Sequence, residues 1–193
     1  MTTWHWVRHG PTHAKSFVGW RDVPADLSDH TRINRLRAHL PANAVLVSSD
    51  LERARKTADA LQHKDHLRVP HDPHLREFHF GAWDGVHFEV VADRHPNVSQ
   101  QYWERPGDTA APHGESWNAA AARVETAVRR IGQRFPNMHV IAVAHFGVIL
   151  TQLQKALGIS AYDALSHRIE NLSVTEITWQ NGAAAVKHIN HQP

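Results

Sequence analysis

The tripeptide Arg8-His9-Gly10 combines residue types that can handle a phosphate group. A guanidinium offers five fixed N–H donors that match phosphate oxygens. Its charge also disfavours protonation of the adjacent imidazole, which keeps a nitrogen lone pair available as a nucleophile. Gly10 lets the backbone approach a ligand closely. The tripeptide predicts phosphate chemistry. The alternative interpretation is an exposed arginine in a turn beside a histidine with a structural role.

Three more residues are candidates for chemistry. Arg53 lies in the first turn of a predicted helix, where free N–H groups favour anions; a solvated helix face is the alternative. Glu77 stands among aromatic residues, which raise a carboxyl pKa toward the range useful for proton donation; a solvated loop glutamate is the alternative. His145 follows the most apolar predicted strand, and a buried structural histidine is the alternative.

Predicted strands bring these residues to one edge of a sheet. Short apolar runs at Thr3–Arg8, Ala44–Ser48 and Met138–Ala144 are typical of strands covered on both faces. In an open α/β sheet, ligands bind outside the carboxyl ends of the strands. Arg8–Gly10, the segment that contains Arg53, and His145 each lie at or after the end of one of these strands, so we expect a ligand to bind at this edge.

Helical patterns separate the strands. Apolar residues recur at helical spacing in Leu51–Gln62 and Glu115–Phe135, and Phe146–Leu157 is apolar enough to be a partly buried helix. Ser49-x-x-Glu52 predicts a capping box for the first helix, and Gly158 a stop for the third.

Near the end of the chain, Asn181-Gly182 between two strand-like runs predicts a hairpin. The predicted fold class is therefore α/β, a three-layer sandwich. Its central sheet is mostly parallel, with helices on both faces and an antiparallel edge hairpin. We predict a single domain over residues 1–193, with a lid-like insertion at about 80–114 that is rich in glycine and proline.

Composition excludes several functional classes. The 193 residues include 21 Lys+Arg, 19 Asp+Glu, 18 His and no Cys, which rules out disulfides, cysteine-liganded metals and a cysteine nucleophile. There is no apolar run long enough for a membrane span and no signal-like start, so we expect a cytoplasmic protein without a membrane partner. The basic residues form no runs interleaved with aromatics, so we expect no nucleic-acid partner.

The many histidines raise the question of a metal site. His5, His9 and His13 are spaced four apart, but the segment reads as a strand followed by Gly10-Pro11, which a helix would not tolerate. Other histidine pairs lack a third anchoring ligand. We therefore predict no metal site.

Taken together, the segments resemble the histidine phosphatase superfamily, also called phosphoglycerate-mutase-like, and its phosphatase branch. The resemblance covers nearly the whole chain. It is carried by an RHGxT opening, an SSxLxRAxxTA block, an LxExxFGxWxG block, a PxGES stretch and a second histidine, which fall at Arg8–Thr12, Ser48–Ala58, Leu75–Gly85, Pro112–Ser116 and His145.

The resemblance implies a role for each candidate. His9 would be the nucleophile that becomes a phosphohistidine, and Glu77 the acid that protonates the leaving oxygen and then activates water. Arg8, Arg53 and His145 would form the phosphate pocket, with no metal or other cofactor required. We expect activity to persist somewhat below about pH 6.5, because the arginines hold down the pKa of His9.

The predicted substrate-binding set is Arg8, Lys15, Gly19, Arg53, His145 and Phe146. Two of these depart from the family pattern. Lys15 replaces a usual asparagine and would meet phosphate as a point charge. Phe146 replaces the first glycine of His-Gly-Gly, which predicts a narrowed pocket.

We predict a metal-independent phosphomonoesterase that acts on a small phosphorylated metabolite. One alternative is a cofactor-dependent phosphoglycerate mutase, although the resemblance implies longer insertions between Glu77 and His145 in dedicated mutases. The other is a catalytically inactive phosphoryl-binding protein. Tryptophan-rich edges are compatible with a homodimer.

Overall fold

The computed structural model describes residues 1–193 and is built around one six-stranded sheet. The strands are β1 (Thr2–Arg8), β2 (Ala44–Ser48), β3 (Leu67–Arg68), β4 (His139–Ala144), β5 (Val174–Gln180) and β6 (Ala183–His191). They lie in the order β3-β2-β4-β1-β5-β6. β1, β2, β3 and β4 are parallel, whereas β5 is antiparallel to β1 and β6 is antiparallel to β5.

Helices cover both faces of this sheet, so the predicted fold class is confirmed. The helices are α1 (His30–His39), α2 (Glu52–Leu61), α3 (Phe88–Arg94), α4 (Pro96–Glu104), α5 (Trp117–Arg134), α6 (Phe146–Leu157) and α7 (Ala161–Leu165). α5 and α6 pack on one face, where they bury Trp4 and Trp6 of β1. α1 and α2 pack on the other face, where they bury Val7. None of them is both long and apolar enough to cross a lipid bilayer.

Strand register brings three chain segments to the same edge of the sheet. Arg8, the last residue of β1, pairs with Ala144 at the end of β4. Ser48 at the end of β2 pairs with Val143 on the other side of β4. The segments that follow these strands therefore start side by side, at the carboxyl edge where the candidate residues were expected.

The predicted helix and hairpin boundaries agree closely with the structure where local signals are strong. α6 spans the predicted residues, and Gly158 ends it in the left-handed conformation with φ of 65°. Asn181 and Gly182 have φ of 50° and 82°, the positive values that a tight hairpin turn requires.

The predicted capping box before α2 is wrong. The Ser49 hydroxyl accepts from the backbone N–H of Leu51 at 3.3 Å, and Leu51, not Ser49, is the N-terminal cap residue. Asp22, from a loop far away in sequence, accepts the N–H of Glu52 at 2.7 Å instead. A carboxylate near the helix start also complements the helix dipole, so the tertiary contact takes over the role predicted for the local one.

The segment at about 80–114 contains α3 and α4 and packs beside the carboxyl edge. Its buried side chains form a small apolar cluster with Phe17, which comes from the loop after β1. The members of this cluster are Phe17, Trp83, Val91, Tyr102 and Ala111. The segment is thereby attached to the same loop that carries the candidate nucleophile.

Candidate active site

His9 is held so that one ring nitrogen is free. Its Nδ1 lies 2.6 Å from the carbonyl oxygen of Gly10. A carbonyl can only accept, so Nδ1 carries the proton and Nε2 bears the lone pair. The backbone is fixed as well, because the His9 N–H donates to Ala144 at 3.1 Å and the Asn171 side-chain amide donates to the His9 carbonyl at 2.8 Å. The backbone and ring of His9 are thus held in position with the Nε2 lone pair free.

The pKa of His9 lies well below its ordinary value. Burial is the main cause, because it disfavours the charged imidazolium, and the charges of Arg53 and Arg8 add to it. The hydrogen bond to Gly10 opposes the shift without cancelling it. His9 therefore stays neutral well below pH 6.5.

Arg53 is the most buried cation of the site, with 1% of the residue exposed. It donates to the carbonyls of Gly19 at 2.7 Å and Arg21 at 3.0 Å, and from Nε to Nδ1 of His145 at 3.3 Å. These bonds use three of the five N–H donors of a guanidinium. Two donors are left for an anion.

His145 is fully buried beside His9, with ring centroids 5.0 Å apart. Because Arg53 can only donate, Nδ1 of His145 accepts and its proton resides on Nε2. That Nε2 is buried and has no partner in the protein. Burial, reinforced by Arg53 and His9, lowers the pKa of His145 well below its ordinary value. A neutral His145 with an unpaired N–H offers a hydrogen bond to a bound ligand.

Arg8 brings a second guanidinium to this group. Its Nη1 donates to the carbonyl of Ile169 at 2.6 Å, and its Nε is buried without a partner. The guanidinium lies over the ring of Phe146, 5.4 Å from the centroid. The site thus contains two guanidinium groups and one imidazole N–H. Each of the three has an N–H donor that is free to bind an anion.

Glu77 places a carboxyl group among these donors. Its oxygens accept the N–H of Phe78 at 3.0 Å and the N–H of Gly147 at 3.2 Å. Burial raises its pKa, and the two hydrogen bonds, Arg53 and Arg8 act in the opposite direction without overcoming the effect of burial. Glu77 therefore holds a proton to higher pH than a solvated glutamate.

Two hydrogen bonds from side chains to its backbone carbonyl hold Glu77 in position. The Trp20 indole N–H donates to its carbonyl at 2.8 Å, and Arg123 donates to the same oxygen at 3.2 Å. Gly147 is required here, because a Cβ at that position would stand 2.6 Å from Oε1 of Glu77 and 2.9 Å from the Phe78 ring.

The other predicted binding residues differ in position. Gly19 is buried and orients its neighbours, since its carbonyl accepts from Arg53 and its N–H donates to Asp84 at 3.0 Å. Phe146 lines the cavity that contains His9. Lys15 is exposed and lies outside the lining of that cavity, so the structure gives no contact that would support a role in phosphate binding.

Sequence reasoning missed two residues that hold His9 and its neighbour Gly10 in position. The Thr57 hydroxyl accepts the N–H of Gly10 at 3.0 Å and donates to the carbonyl of Arg53 at 2.6 Å, which joins the two phosphate-side segments. The threonine of the SSxLxRAxxTA block was the available signal for it. Asn171, which binds the His9 carbonyl, lies outside every motif.

The site opens into a cavity of about 260 Å³. Arg8, His9 and Glu77 lie on its lining, together with the aromatic side chains Phe80, Trp103 and Phe146. No group of three or more histidine, aspartate or glutamate side chains is arranged to hold a metal ion.

The sheet and the two histidines at its carboxyl edge define a phosphoglycerate-mutase-like α/β fold. The chain belongs to the histidine phosphatase superfamily (branch 1), whose sequence profile matches residues 5–192. The family resemblance stated from the sequence is therefore confirmed.

Curated relatives include proteins of different size and description. A bifunctional protein of Mycobacterium tuberculosis is 31% identical over 175 residues, which cover 90% of this chain and 46% of that protein. The chain thus spans less than half the length of that relative. A probable phosphoglycerate mutase of Cronobacter sakazakii is 24% identical over 179 residues, which cover 90% of this chain and 83% of the mutase.

Solved structures match over the whole chain. YhfR of Bacillus stearothermophilus superposes with a TM-score of 0.90 at 26% identity and covers 99% of this chain and 98% of its own. A mycobacterial glucosyl-3-phosphoglycerate phosphatase superposes with a TM-score of 0.83 at 25% identity and covers 99% of each chain.

Proposed function

We propose that this chain is a phosphomonoesterase that transfers the phosphoryl group of a small phosphorylated molecule to Nε2 of His9 and then to water, without a metal ion. One observation carries the proposal. The free lone pair of His9 stands beside donors of Arg8, Arg53 and His145 that have no partner in the protein, and Glu77, whose carboxyl pKa is raised by burial, lines the same cavity as His9.

In the first step, Nε2 of His9 attacks phosphorus and the bond from phosphorus to the ester oxygen breaks. Glu77 gives its proton to that oxygen, and the alcohol leaves. The ring now carries a positive charge, which the Gly10 carbonyl stabilises through Nδ1–H. The arginines and the His145 N–H balance charge on the phosphoryl oxygens.

In the second step, the Glu77 carboxylate takes a proton from water while the water oxygen attacks phosphorus. The N–P bond breaks, phosphate is released and the lone pair returns to Nε2 of His9. Glu77 is protonated again, so the two steps leave the protein unchanged.

Charge in the cavity favours hydrolysis over mutase activity. A phosphoglycerate mutase must hold a second anionic group, the carboxylate, beside the phosphate. Apart from Arg8 and His9, the lining of the cavity has no basic residue. The sequence similarity to the probable phosphoglycerate mutase of Cronobacter sakazakii, by contrast, is an observation in support of the mutase alternative.

The test is a panel of phosphate monoesters, with released phosphate measured for the wild type and for His9→Gln, with and without a chelator. We expect metal-independent release that is lost in the variant, and a trapped phosphohistidine on His9. Interconversion of 3- and 2-phosphoglycerate with little phosphate release would favour the mutase. Tight phosphate binding without turnover would favour the inactive binding protein.

A further inference from the structure

A second cavity adjoins the proposed site on the side of Glu77. Its volume is about 40 Å³, and it shares Glu77, Phe80, Trp103 and Phe146 with the larger cavity. The lining is mainly aromatic: Phe78, Phe80, Tyr102, Trp103, Trp117 and Phe146. The two spaces therefore adjoin along the four shared residues, of which Glu77 is the only one that can donate a proton to an ester oxygen.

The position of Glu77 determines what occupies this space. A group that protonates the leaving oxygen must lie within hydrogen-bond reach of it. Since Glu77 lies on both linings, the ester oxygen stands where the cavities meet, with the phosphoryl group toward His9. The alcohol part of the substrate then lies along the aromatic residues that the two cavities share, because a space of about 40 Å³ is too small to enclose a ring by itself.

This lining offers few hydrogen-bond partners and no cation to a polar alcohol. Glu77 is its only ionisable residue besides Tyr102, and no lysine, arginine or histidine reaches it. Its only side-chain hydroxyls belong to Tyr102 and Thr109. A carboxylate or a second phosphate would therefore lose its water there without gaining a cation, and a sugar would find few partners for its several hydroxyls. Apolar rings would instead gain contact with aromatic faces and edges.

Aromatic side chains also extend from the cavity to the surface. Trp103 is 39% exposed and Phe88 is 49% exposed, and both pack on Phe17, with ring centroids 6.1 Å and 4.5 Å from its ring. Large apolar side chains that stay exposed at the mouth of a cavity are typical of ligand contact. Phe146, held beneath the Arg8 guanidinium, forms the inner wall.

We propose that the substrate is the phosphate ester of an apolar, ring-bearing alcohol, and that Trp103 and Phe146 determine this specificity. The inference rests on the proposed phosphomonoesterase function. It adds the chemical class of the leaving group, which the phosphate-binding residues alone do not define.

The experiment compares 2-phenylethyl phosphate with glycerol 3-phosphate. Both are esters of primary alcohols, so their leaving groups differ little in intrinsic reactivity and mainly in polarity. We expect kcat/KM to favour 2-phenylethyl phosphate by at least about tenfold, as one apolar group in a fitted pocket commonly does. Trp103→Ala and Phe146→Gly should each lower that ratio severalfold.

Controls separate specificity from folding. Tyr162→Ala removes an aromatic side chain that is 58% exposed on α7 and outside both cavities, and it should leave the ratio unchanged. Trp103→Phe should keep most of the preference. Equal or better use of glycerol 3-phosphate by the wild type would overturn this inference while leaving the phosphatase proposal intact. Release from neither ester above the His9→Gln background would overturn both.

Discussion

The Nε of Arg53 donates to Nδ1 of His145 across 3.3 Å, and this contact determines which nitrogen of the second histidine carries its proton. Because Nδ1 must accept, the N–H is on Nε2, the buried atom without a partner. In the proposed function, Arg53 therefore contributes twice to anion binding, through its own charge and through the tautomer of His145.

Arg53→Lys tests this double role. Lysine keeps a positive charge but cannot reach Gly19, Arg21 and His145 together with a rigid fork. We expect kcat/KM to fall by about 10²–10³-fold, as for the loss of a preorganised donor. Steady-state kinetics measures the loss, and ¹⁵N NMR of His145 reports its tautomer. A near-normal rate with an unchanged tautomer would contradict the role that we give Arg53.

The pH profile should reflect opposite shifts at His9 and Glu77. Burial lowers the pKa of His9 and raises that of Glu77, so the neutral imidazole and the protonated carboxyl coexist over a wider range than in water. Activity should therefore persist below about pH 6.5 on the acid side, and it should fall on the basic side as Glu77 loses its proton. An acid limb that collapses above pH 6.5 would contradict the protection of His9.

Glu77→Gln separates proton donation from the rest of the site. The amide cannot protonate a leaving oxygen, so phosphoenzyme formation from 2-phenylethyl phosphate should slow by about 10²–10⁴-fold. The loss should be much smaller for p-nitrophenyl phosphate, whose leaving group needs no proton. Rapid-quench measurement of phosphohistidine tests both esters, and equal losses would show that Glu77 is not the acid.

Two helical glycines form a matched pair. At Gly147 a Cβ would meet Glu77 and Phe78, whereas at Gly132 in α5 it would meet nothing within 4 Å. Gly147→Ala should displace Glu77, lower kcat by about 100-fold and cost about 1–3 kcal/mol of stability. Gly132→Ala should leave kcat unchanged and add about 0.5–1 kcal/mol. Chemical denaturation and kinetics of both variants check this, and similar behaviour of the pair would contradict the contact.

Stability should fall as pH decreases because of His5. It is buried within β1, where Nε2 lies 3.0 Å from Nδ1 of His139. Burial lowers the pKa of His5 to about 4, and the attraction of Glu176 only partly opposes this. The unfolded chain binds this proton at about pH 6.5. The contribution of His5 to the free energy of unfolding is therefore complete above that pH and is lost as pH falls toward 4.

Urea unfolding of wild type and His5→Gln between pH 7.5 and 4.5 measures this effect. The wild type should take up about one more proton on unfolding than the variant. Other buried histidines contribute a common background to both proteins, so the difference between the two slopes is the relevant quantity. Identical slopes would show that His5 is already protonated in the folded protein.

Local patterns in the sequence predicted the elements that carry the chemistry. α6 agrees with its prediction because its apolar residues, its strand-to-helix start and Gly158 all act locally. α1 was not predicted, since only Ile33 and Leu36 of its residues are buried and so narrow an apolar stripe is easily overlooked. The capping of α2 failed for a different reason: Asp22 reaches that helix only through the tertiary fold.

The candidate site, too, was only partly predictable from the sequence. Motif spacing identified the residues that the structure brings together, Arg8, His9, Arg53, Glu77 and His145. It could not reveal which nitrogen of each histidine is free, because this depends on the Gly10 carbonyl and on Arg53. Nor could it reveal the aromatic cavity, whose walls come from the loop after β1, α4, α5 and the start of α6.

The place of β1 in the sheet has a consequence for biosynthesis. β1 is made first among the strands, yet both of its partners, β4 and β5, follow more than a hundred residues later. At about 5–20 residues per second, synthesis reaches the end of β5 on the order of 10–35 s after β1. Until then the buried side chains of β1, Trp4, Trp6 and Val7, lack at least one of the strands that pair with β1. During that interval the strand is a target for chaperones. The two contacts that fix the His9 backbone, with the Ala144 carbonyl and the Asn171 side chain, likewise form only after residues 144 and 171 have been synthesised.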